Sequence, residues 1–427
     1  MAGHRWLGVA GLGLALCVGG CHSGDPQPAP RENAASKAAS AYPRCPKATR
    51  DSTCVDLSDG LNPYEYEAKD DQAVALPLVA NDHKATAIGL VGARSYLDDI
   101  MVGAGGELTA VGGAGLLVAT NDGHGGTWHV AVHTPYANTL RGMARVDAKT
   151  VFAVGDEAGI LRSQDAGAHW EAFNATFHDY KDQRRSDLLL GGDDRGVAYS
   201  VAFADALHGV IVGQAGVNGS VAPGVLRTRD GGQTWERIAL PQPFDGIALQ
   251  KVAFTDPTNG WAVGSRGTVL HTPDAGEHWQ ATALGDTDVH LMTVDFSAPA
   301  HGCMAGDLKV WCTWNAGKDW QAAKVEMPKD MDTDPDVGIT ALRLDAAGHG
   351  WMVTRGGQIF SSADEGRTWK PWMNIVDAAD KKVDGVEVWG LTLEKNRAWA
   401  VGMGSVAAPG AAQTSGDSDP LIVSWAW

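Results

Sequence analysis

The chain has 427 residues, which is long for one average domain. Its 54 glycines, 16 tryptophans and 44% hydrophobic residues are typical of an all-β globular protein with many short strands and turns. The formal net charge is −17 at pH 7 and no Lys/Arg-rich stripe offsets it, which argues against a nucleic-acid partner.

The N-terminus predicts a lipoprotein signal peptide over residues 1–20. The apolar stretch 6–18 is short for a membrane span, and small residues stand directly before Cys21. This pattern resembles the bacterial lipobox, which implies cleavage before Cys21 and lipid attachment to its thiol; a plain secretory signal is the alternative. His22 follows the cysteine, which indicates the outer membrane, facing the periplasm. Residues 21–73 then form the lipidated cysteine and a flexible tether.

The remaining cysteines suit an oxidising compartment. Cys17 leaves with the signal peptide, so four cysteines stay unmodified, in two close pairs. We predict one disulfide between Cys45 and Cys54 and another between Cys303 and Cys312. Their spacings do not match those of zinc sites, and free buried cysteines are the alternative.

One short strand recurs seven times along the chain, at intervals of 42 to 58 residues. The copies begin at Thr109, Phe152, Val210, Trp261, Cys303, Trp351 and Trp399, and most end in glycine. A short apolar run and a turn precede most copies, and another apolar strand follows. Each unit therefore predicts the four-stranded antiparallel sheet of a propeller blade.

Six units continue into a polar turn that ends in tryptophan, such as TRDGGQTW over 228–235. A hydroxyl at position one and a carboxylate or amide at position three predict hydrogen bonds inside the turn, and the glycine at position five permits positive φ. We expect each tryptophan to lie between adjacent sheets. The residues at position three, each with its tryptophan, are Asp122 and Trp128, Asp165 and Trp170, Asp230 and Trp235, Asp274 and Trp279, Asn315 and Trp320, and Asp364 and Trp369. These turns resemble the Asp-boxes of bacterial neuraminidase repeats.

The seventh unit has no box and ends the chain after one apolar strand, 421–427. Residues 85–92 precede the first complete unit and are apolar enough to supply the missing strand, which would also remove an exposed sheet edge. The sequence thus predicts one seven-bladed β-propeller over residues 74–427, closed by an N-terminal strand.

The longest connections predict which face of the propeller binds a partner. The segments 171–198, 214–224, 321–338, 370–385 and 403–419 all fall on the face opposite the boxes, here called the insertion face. Basic residues on this face, Arg184, Arg185, Arg266, Lys309 and Arg355, are candidates for a patch that binds anionic groups, with solvated turn charges as the alternative. Acidic residues are predicted opposite them: Asp156, Glu157, Asp179, Asp182, Asp187, Asp193 and Asp194.

An acidic run also raises the question of a metal site. Asp330, Asp332, Asp334 and Asp336 alternate as oxygen ligands for Ca²⁺ would. Pro335 and Ala341 stand where an EF-hand needs glycine and glutamate, so the run favours a solvated loop and no metal is predicted.

Sialidases are one family with Asp-boxes, but their Phe/Tyr-Arg-Ile-Pro signature is absent here, and the nearest string, YPRCP over 42–46, lies in the tether. GxSxG, HExxH, Walker and GxGxxG patterns are also missing from the sequence, so no catalytic chemistry and no cofactor are predicted.

Residues 252–279 carry the strings VAFTD, NGWAVG, GTVL and TPDAGEHW, which are similar to the repeat of the photosystem II assembly and stability factor family. The resemblance covers residues 97–427. It implies a non-catalytic, chaperone-like propeller that holds membrane-protein assembly intermediates through an arginine-rich patch, for which Arg266, Lys309 and Arg355 are candidates by position. We therefore expect a monomeric, envelope-anchored scaffold that binds protein. The alternative is a glycan-binding or glycoside-cleaving Asp-box protein.

Overall fold

The structure is a computed structural model that describes residues 73–76, 85–90, 95–120, 128–133, 139–156, 159–167, 169–172, 193–217, 220–240, 246–328, 338–375, 385–404 and 419–427. All of these lie in one compact unit, Cys45–Trp427. Several predicted features lie outside the described residues: Cys21, the Cys45–Cys54 pair, Asp122, Glu157, Asp179, Asp182, Arg184, Arg185, Asp187 and the acidic run. In the part of the chain that is described, no helix is long and apolar enough to cross a membrane.

The described strands form seven sheets, each built as an antiparallel four-stranded blade, which confirms the predicted all-β propeller. Two strands, β1 (Ala73–Leu76) and β2 (Ala85–Leu90), precede the first complete blade. Blade one contains β3 (Leu97–Val102), β4 (Leu108–Gly112), β5 (Leu116–Thr120) and β6 (Trp128–His133). Blade two contains β7 (Leu140–Arg145), β8 (Val151–Gly155), β9 (Ile160–Ser163) and β10 (Glu171–Ala172). Blade three contains β11 (Asp193–Phe203), β12 (Gly209–Val217), β13 (Ser220–Thr228) and β14 (Glu236–Arg237).

Blade four contains β15 (Leu249–Phe254), β16 (Gly260–Gly264), β17 (Val269–Thr272) and β18 (Gln280–Thr282). Blade five contains β19 (Thr293–Ala298), β20 (His301–Gly306), β21 (Lys309–Thr313) and β22 (Gln321–Ala322). Blade six follows β23 (Lys324–Val325) and contains β24 (Ile339–Leu344), β25 (Gly350–Thr354), β26 (Gln358–Ser362) and β27 (Thr368–Asn374). Blade seven contains β28 (Glu387–Glu394), β29 (Arg397–Gly404) and β30 (Asp419–Ala426). The first strands of neighbouring blades contact one another around a central channel.

The N-terminal strand closes the ring, as predicted. Strand β2 pairs antiparallel with β30, with Ala85 opposite Trp425 and Gly89 opposite Leu421. Two further strands were not predicted: β1 extends the closing blade beyond β2, and β23 pairs in parallel with β27 at the edge of blade six. Both additions cover a sheet edge that would otherwise expose unpaired backbone groups.

Each described box tryptophan packs against the preceding blade, so the boxes join the blades. Trp369 of blade six is fully buried and packs with Cys303 and Cys312 of blade five. These two cysteines lie directly opposite each other in β20 and β21 and form the predicted disulfide. Trp279 of blade four contacts Val210 of blade three in the same way. A large indole at this position buries apolar surface that small blades otherwise lack.

Blade seven has no box, and other tryptophans pack between it and blade six. Trp351 in β25 has the position against which a following box would pack. Its ring lies 5.6 Å from that of Trp425 and 5.0 Å from that of Trp427, measured between ring centroids. The last tryptophans of the chain therefore replace the missing box.

Hydrogen bonds inside the box turns follow the predicted pattern. The hydroxyl of Thr228 donates to Asp230 (2.8 Å) and accepts from the backbone N–H of Gly232 (2.8 Å). Asp230 in turn accepts from the backbone N–H and the hydroxyl of Thr234, at 2.8 and 2.6 Å. Position four also has positive φ, as at Glu365 (58°), which was not predicted. The turn thus satisfies the side chains of its first and third residues and constrains its backbone.

Candidate functional site: the mouth of the central channel

An irregularity in the first strands determines which side chains line the channel. Side chains of a regular strand alternate between two faces, so only every second residue would point to the axis. In six of the seven blades the pairing register shifts near the start of the first strand, for example between Leu97 and Asp99 and between Leu249 and Lys251. Such a bulge turns two consecutive residues towards the same side.

The register defines two rings of equivalent positions at the channel end that lies on the insertion face. We call the outer one the upper ring: Asp98, Arg141, Tyr199, Gln250, Met292, Thr340 and Trp389. The next residues form the lower ring: Asp99, Gly142, Ser200, Lys251, Thr293, Ala341 and Gly390. All seven upper-ring residues line one cavity of about 280 Å³, together with Lys251, Arg343 and Arg355.

The lower ring mainly holds the blades together. Ser200 accepts a hydrogen bond from the backbone N–H of Val252 in the next blade, at 3.4 Å. Asp99 accepts one from the backbone N–H of Met143, at 2.9 Å, and one from its own neighbour, Ile100, at 3.0 Å. The small or polar residues of this ring are therefore explained by the contact between adjacent first strands.

One side of the mouth contains a network of two carboxylates around an arginine. Arg141 donates to Asp156 at 2.5 and 3.2 Å, and its guanidinium lies over the ring of Tyr199, 5.6 Å from the centroid. Asp98 is nine-tenths buried, and its Oδ2 lies 3.6 Å from Nη1 of Arg141. Among the described residues, this oxygen has no hydrogen-bond partner. Because Arg141 is already bound by Asp156, burial dominates and raises the pKa of Asp98 to about 7.

The other side of the mouth is basic. Nζ of Lys251 lies 3.9 Å from Oδ2 of Asp99, beyond hydrogen-bond distance. Arg343 donates from Nη1 to the carbonyl of Leu342, at 2.8 Å. Burial lowers the pKa of Lys251, whereas the charge of Asp99 raises it more strongly than that of Arg343 lowers it. Within the described residues no ion pair with Arg355 is found, and this half-buried side chain lines the same cavity.

The structure places the predicted basic residues Arg266, Lys309 and Arg355 in or beside equivalent turns of blades four, five and six. Arg266 and Lys309 are exposed, and only Arg355 reaches the channel cavity. Lys309 donates to Asp286 at 2.7 Å, a bond that raises the lysine pKa and pairs its charge with a carboxylate. The patch that combines these three residues stays a prediction.

Sequence reasoning assigned no role to Asp98, Arg141, Lys251 and Arg343. Each stands in a first strand whose other residues are mostly apolar, two of them one residue after the buried leucine that starts the strand. An alignment of the seven units would place only Asp98 and Arg141 in one column, which also contains Met292 and Trp389, so no polar column marks the site. Of the predicted acidic residues, Asp156 joins the site through Arg141.

Comparison with known proteins connects this propeller with photosystem II assembly factors. Residues 242–397 match the family described as "Photosynthesis system II assembly factor YCF48". The photosystem II assembly protein Ycf48 of Synechococcus sp. (strain JA-2-3B'a(2-13)) is 33% identical over 139 residues, which cover 32% of this chain and 39% of that protein. The photosystem II assembly lipoprotein Ycf48 of Synechococcus sp. (strain CC9902) is 27% identical over 237 residues, 53% of this chain and 59% of that protein. The matches thus span about two fifths to three fifths of these relatives.

A solved structure, "YCF48 bound to D1 peptide", shares the fold with a TM-score of 0.53 at 16% sequence identity. It covers 82% of this chain and 99% of the other. Together with the sequence matches, this confirms the resemblance of the chain to the photosystem II assembly factor-like, seven-bladed Asp-box propellers.

Proposed function

We propose that this protein is a non-catalytic scaffold of the bacterial cell envelope that binds a polypeptide from a membrane complex during its assembly. The match of residues 242–397 to an assembly factor family carries this proposal. The solved relative named as bound to a D1 peptide supports binding of a polypeptide. The comparisons favour a scaffold over a glycoside hydrolase, because the matching relatives are named as assembly proteins.

The partner binds on the insertion face, at the mouth of the channel. The hydroxyl and carboxylate groups of the box turn over 228–235, on the opposite face, bond within the turn, whereas at the mouth a buried oxygen of Asp98 has no hydrogen-bond partner among the described residues. The upper ring has a different side chain in each of the seven blades, so the mouth is chemically asymmetric around the channel axis. An asymmetric site of this kind fixes the orientation of a bound polypeptide.

A lipid at Cys21 anchors the protein, and the tether formed by 21–73 carries the propeller formed by 74–427. Relatives named as lipoproteins support a lipid-anchored envelope protein. Location in the outer membrane, facing the periplasm, is the finer proposal and comes from His22 after the lipidated cysteine.

Affinity capture from native membranes tests the scaffold. The lipidated wild-type protein is expected to recover a discrete membrane-protein complex. A triple variant, Arg266→Glu, Lys309→Glu and Arg355→Glu, is expected to lose it because the insertion face becomes acidic. Lys318→Glu controls for a single charge reversal, since Lys318 is an exposed lysine in the box of blade five on the opposite face.

Equal recovery by all three proteins would place the partner elsewhere on the propeller. If neither wild type nor control captures a protein while the soluble propeller binds or cleaves a glycan panel, the scaffold is wrong and the glycan-directed alternative replaces it.

A further inference from the structure

The channel cavity has more hydrogen-bond donors than the protein itself uses. Lys251, Arg343 and Arg355 line one side of it. Asp99 and the buried Asp295 attract these cations, yet among the described residues neither lies within hydrogen-bond distance of Nζ of Lys251. The donors therefore point to a negatively charged ligand.

The carboxylates of the channel lie near these cations but do not occupy the hydrogen-bond donors of Lys251. Asp99 already accepts two backbone hydrogen bonds and stays 3.9 Å from Nζ of Lys251. Asp295 accepts the backbone N–H of Leu344 at 2.8 Å. Asp98 lies beside Arg141 in the network described above. None of them forms a hydrogen-bonded ion pair with Lys251 within the described residues.

We propose that the cavity binds the carboxylate of an aspartate or glutamate side chain of the partner polypeptide, held by Lys251, Arg343 and Arg355, and that Asp98 takes up a proton when it enters. This inference rests on the proposed function, because it assigns the chemistry of the partner. A cavity of about 280 Å³ accommodates one such side chain and no folded element. Charge complementarity with the three cations selects the carboxylate.

Proton uptake follows from the charges around Asp98. The groups that face it are Arg141 and Asp156 from blade two, Tyr199 from blade three, and Asp99 beside it. When Asp98 is ionised, the cavity region has four carboxylates and four basic side chains, so its charges balance. The carboxylates are Asp98, Asp99, Asp156 and Asp295, and the basic residues are Arg141, Lys251, Arg343 and Arg355. A further carboxylate in this space would make the cavity negative. Since Asp98 has a pKa of about 7 and an unpartnered oxygen, its protonation restores the balance at little free-energy cost near neutral pH.

The test uses the lipidated protein in detergent and three probes: an acetylated, amidated glycine pentapeptide with a central glutamate, its glutamine counterpart, and succinate. Binding is measured by line broadening of the probe in NMR spectra at constant ionic strength. The glutamate peptide is expected to bind and the glutamine peptide not. Lys251→Met should weaken binding at least tenfold, whereas Lys318→Met, the same substitution on the box face, should leave it unchanged.

The pH dependence tests the role of Asp98. Affinity of the wild type for the glutamate peptide should fall about tenfold between pH 6 and pH 8, because Asp98 changes from about nine tenths to about one tenth protonated. Deprotonation of Lys251 would act in the same direction, so Asp98→Asn separates the two. This variant should bind more tightly than the wild type at pH 8 and lose most of the pH dependence, a gain that a folding defect cannot imitate.

Equal binding of the glutamate and glutamine peptides, or no binding of either, would overturn the proposal. Binding of succinate without the glutamate peptide would indicate a small-molecule anion site and also overturn it. If the Asp98→Asn variant had the same pH dependence of binding as the wild type, Asp98 would not be the group that takes up the proton. If membrane capture succeeds while the glutamate peptide does not bind, the carboxylate site is wrong and the scaffold stands. If the peptide binds while capture fails, the scaffold is wrong instead.

Discussion

The two faces of the propeller shift the pKa of their carboxylates in opposite directions. On the box face, Asp230 is partly buried, yet hydrogen bonds from Thr234 and Thr228 outweigh burial and lower its pKa. At the channel mouth, burial raises the pKa of Asp98, and Arg141 compensates only part of the effect. The boxes repeat the same residue types, whereas the upper ring has a different residue in every blade. Repeated positions therefore maintain the fold, and the unrepeated ones are available for function.

This contrast predicts large losses of stability at the boxes and a gain at the mouth. Three substitutions test it, in order of decreasing expected effect. All three are read from denaturant unfolding curves of the propeller.

Trp369→Ala should lower the free energy of unfolding by about 3 to 5 kcal/mol, because it removes a fully buried indole between blades five and six. The control is Trp314→Ala, which removes a half-buried tryptophan that lies under Arg367 at the surface. It should lower the free energy by about 1 kcal/mol. Equal effects at the two sites would show that box tryptophans do not join the blades.

Gly366→Ala should lower the free energy of unfolding by about 2 to 4 kcal/mol. An added Cβ at this glycine would lie 2.6 and 2.8 Å from the sulfurs of Cys303 and Cys312, and φ is +78°. Gly285→Ala is a matched control, since Gly285 has a similar φ of +82° and no heavy atom within 4 Å of its added Cβ. It should lose only about 1 kcal/mol. A loss at Gly366 no larger than at Gly285 would mean that the blades do not press together at the box.

Asp98→Asn should raise the free energy of unfolding at pH 8 by about 1 to 2 kcal/mol, after allowance for the lost attraction to Arg141. The native pKa of about 7 exceeds the ordinary value of 3.8, so the native state binds more protons between pH 4 and pH 7. Wild-type stability from this group is present below about pH 4 and is lost as the pH rises through 7. The variant should therefore match the wild type at pH 4 and exceed it at pH 8. The opposite trend would show that Asp98 is stabilised as a carboxylate.

The sequence contained most of the fold. Seven recurring strands and six boxes determined the number of blades, and the absence of a box after Gly402 indicated that β2 closes the ring. These features are local: turn chemistry and strand period depend on residues close together in the chain. The added edge strands β1 and β23 were missed because four and two residues carry too little pattern.

The site was predicted less well than the fold. Of the predicted basic residues, Arg355 lines the channel cavity, whereas Lys309 lies against Asp286, a contact that its neighbours in sequence do not reveal. The channel cavity depends on bulges that turn two consecutive residues of a first strand to the axis, which period-two alternation does not predict.

By itself, therefore, the sequence determined the repeat, the blade order and the closing strand of this protein. Only the tertiary structure decided which charges meet, because Asp98, Arg141, Lys251 and Arg343 come from four blades and become neighbours only when the ring closes around the channel. Burial in that ring then sets the protonation of Asp98 and leaves three cations facing one cavity.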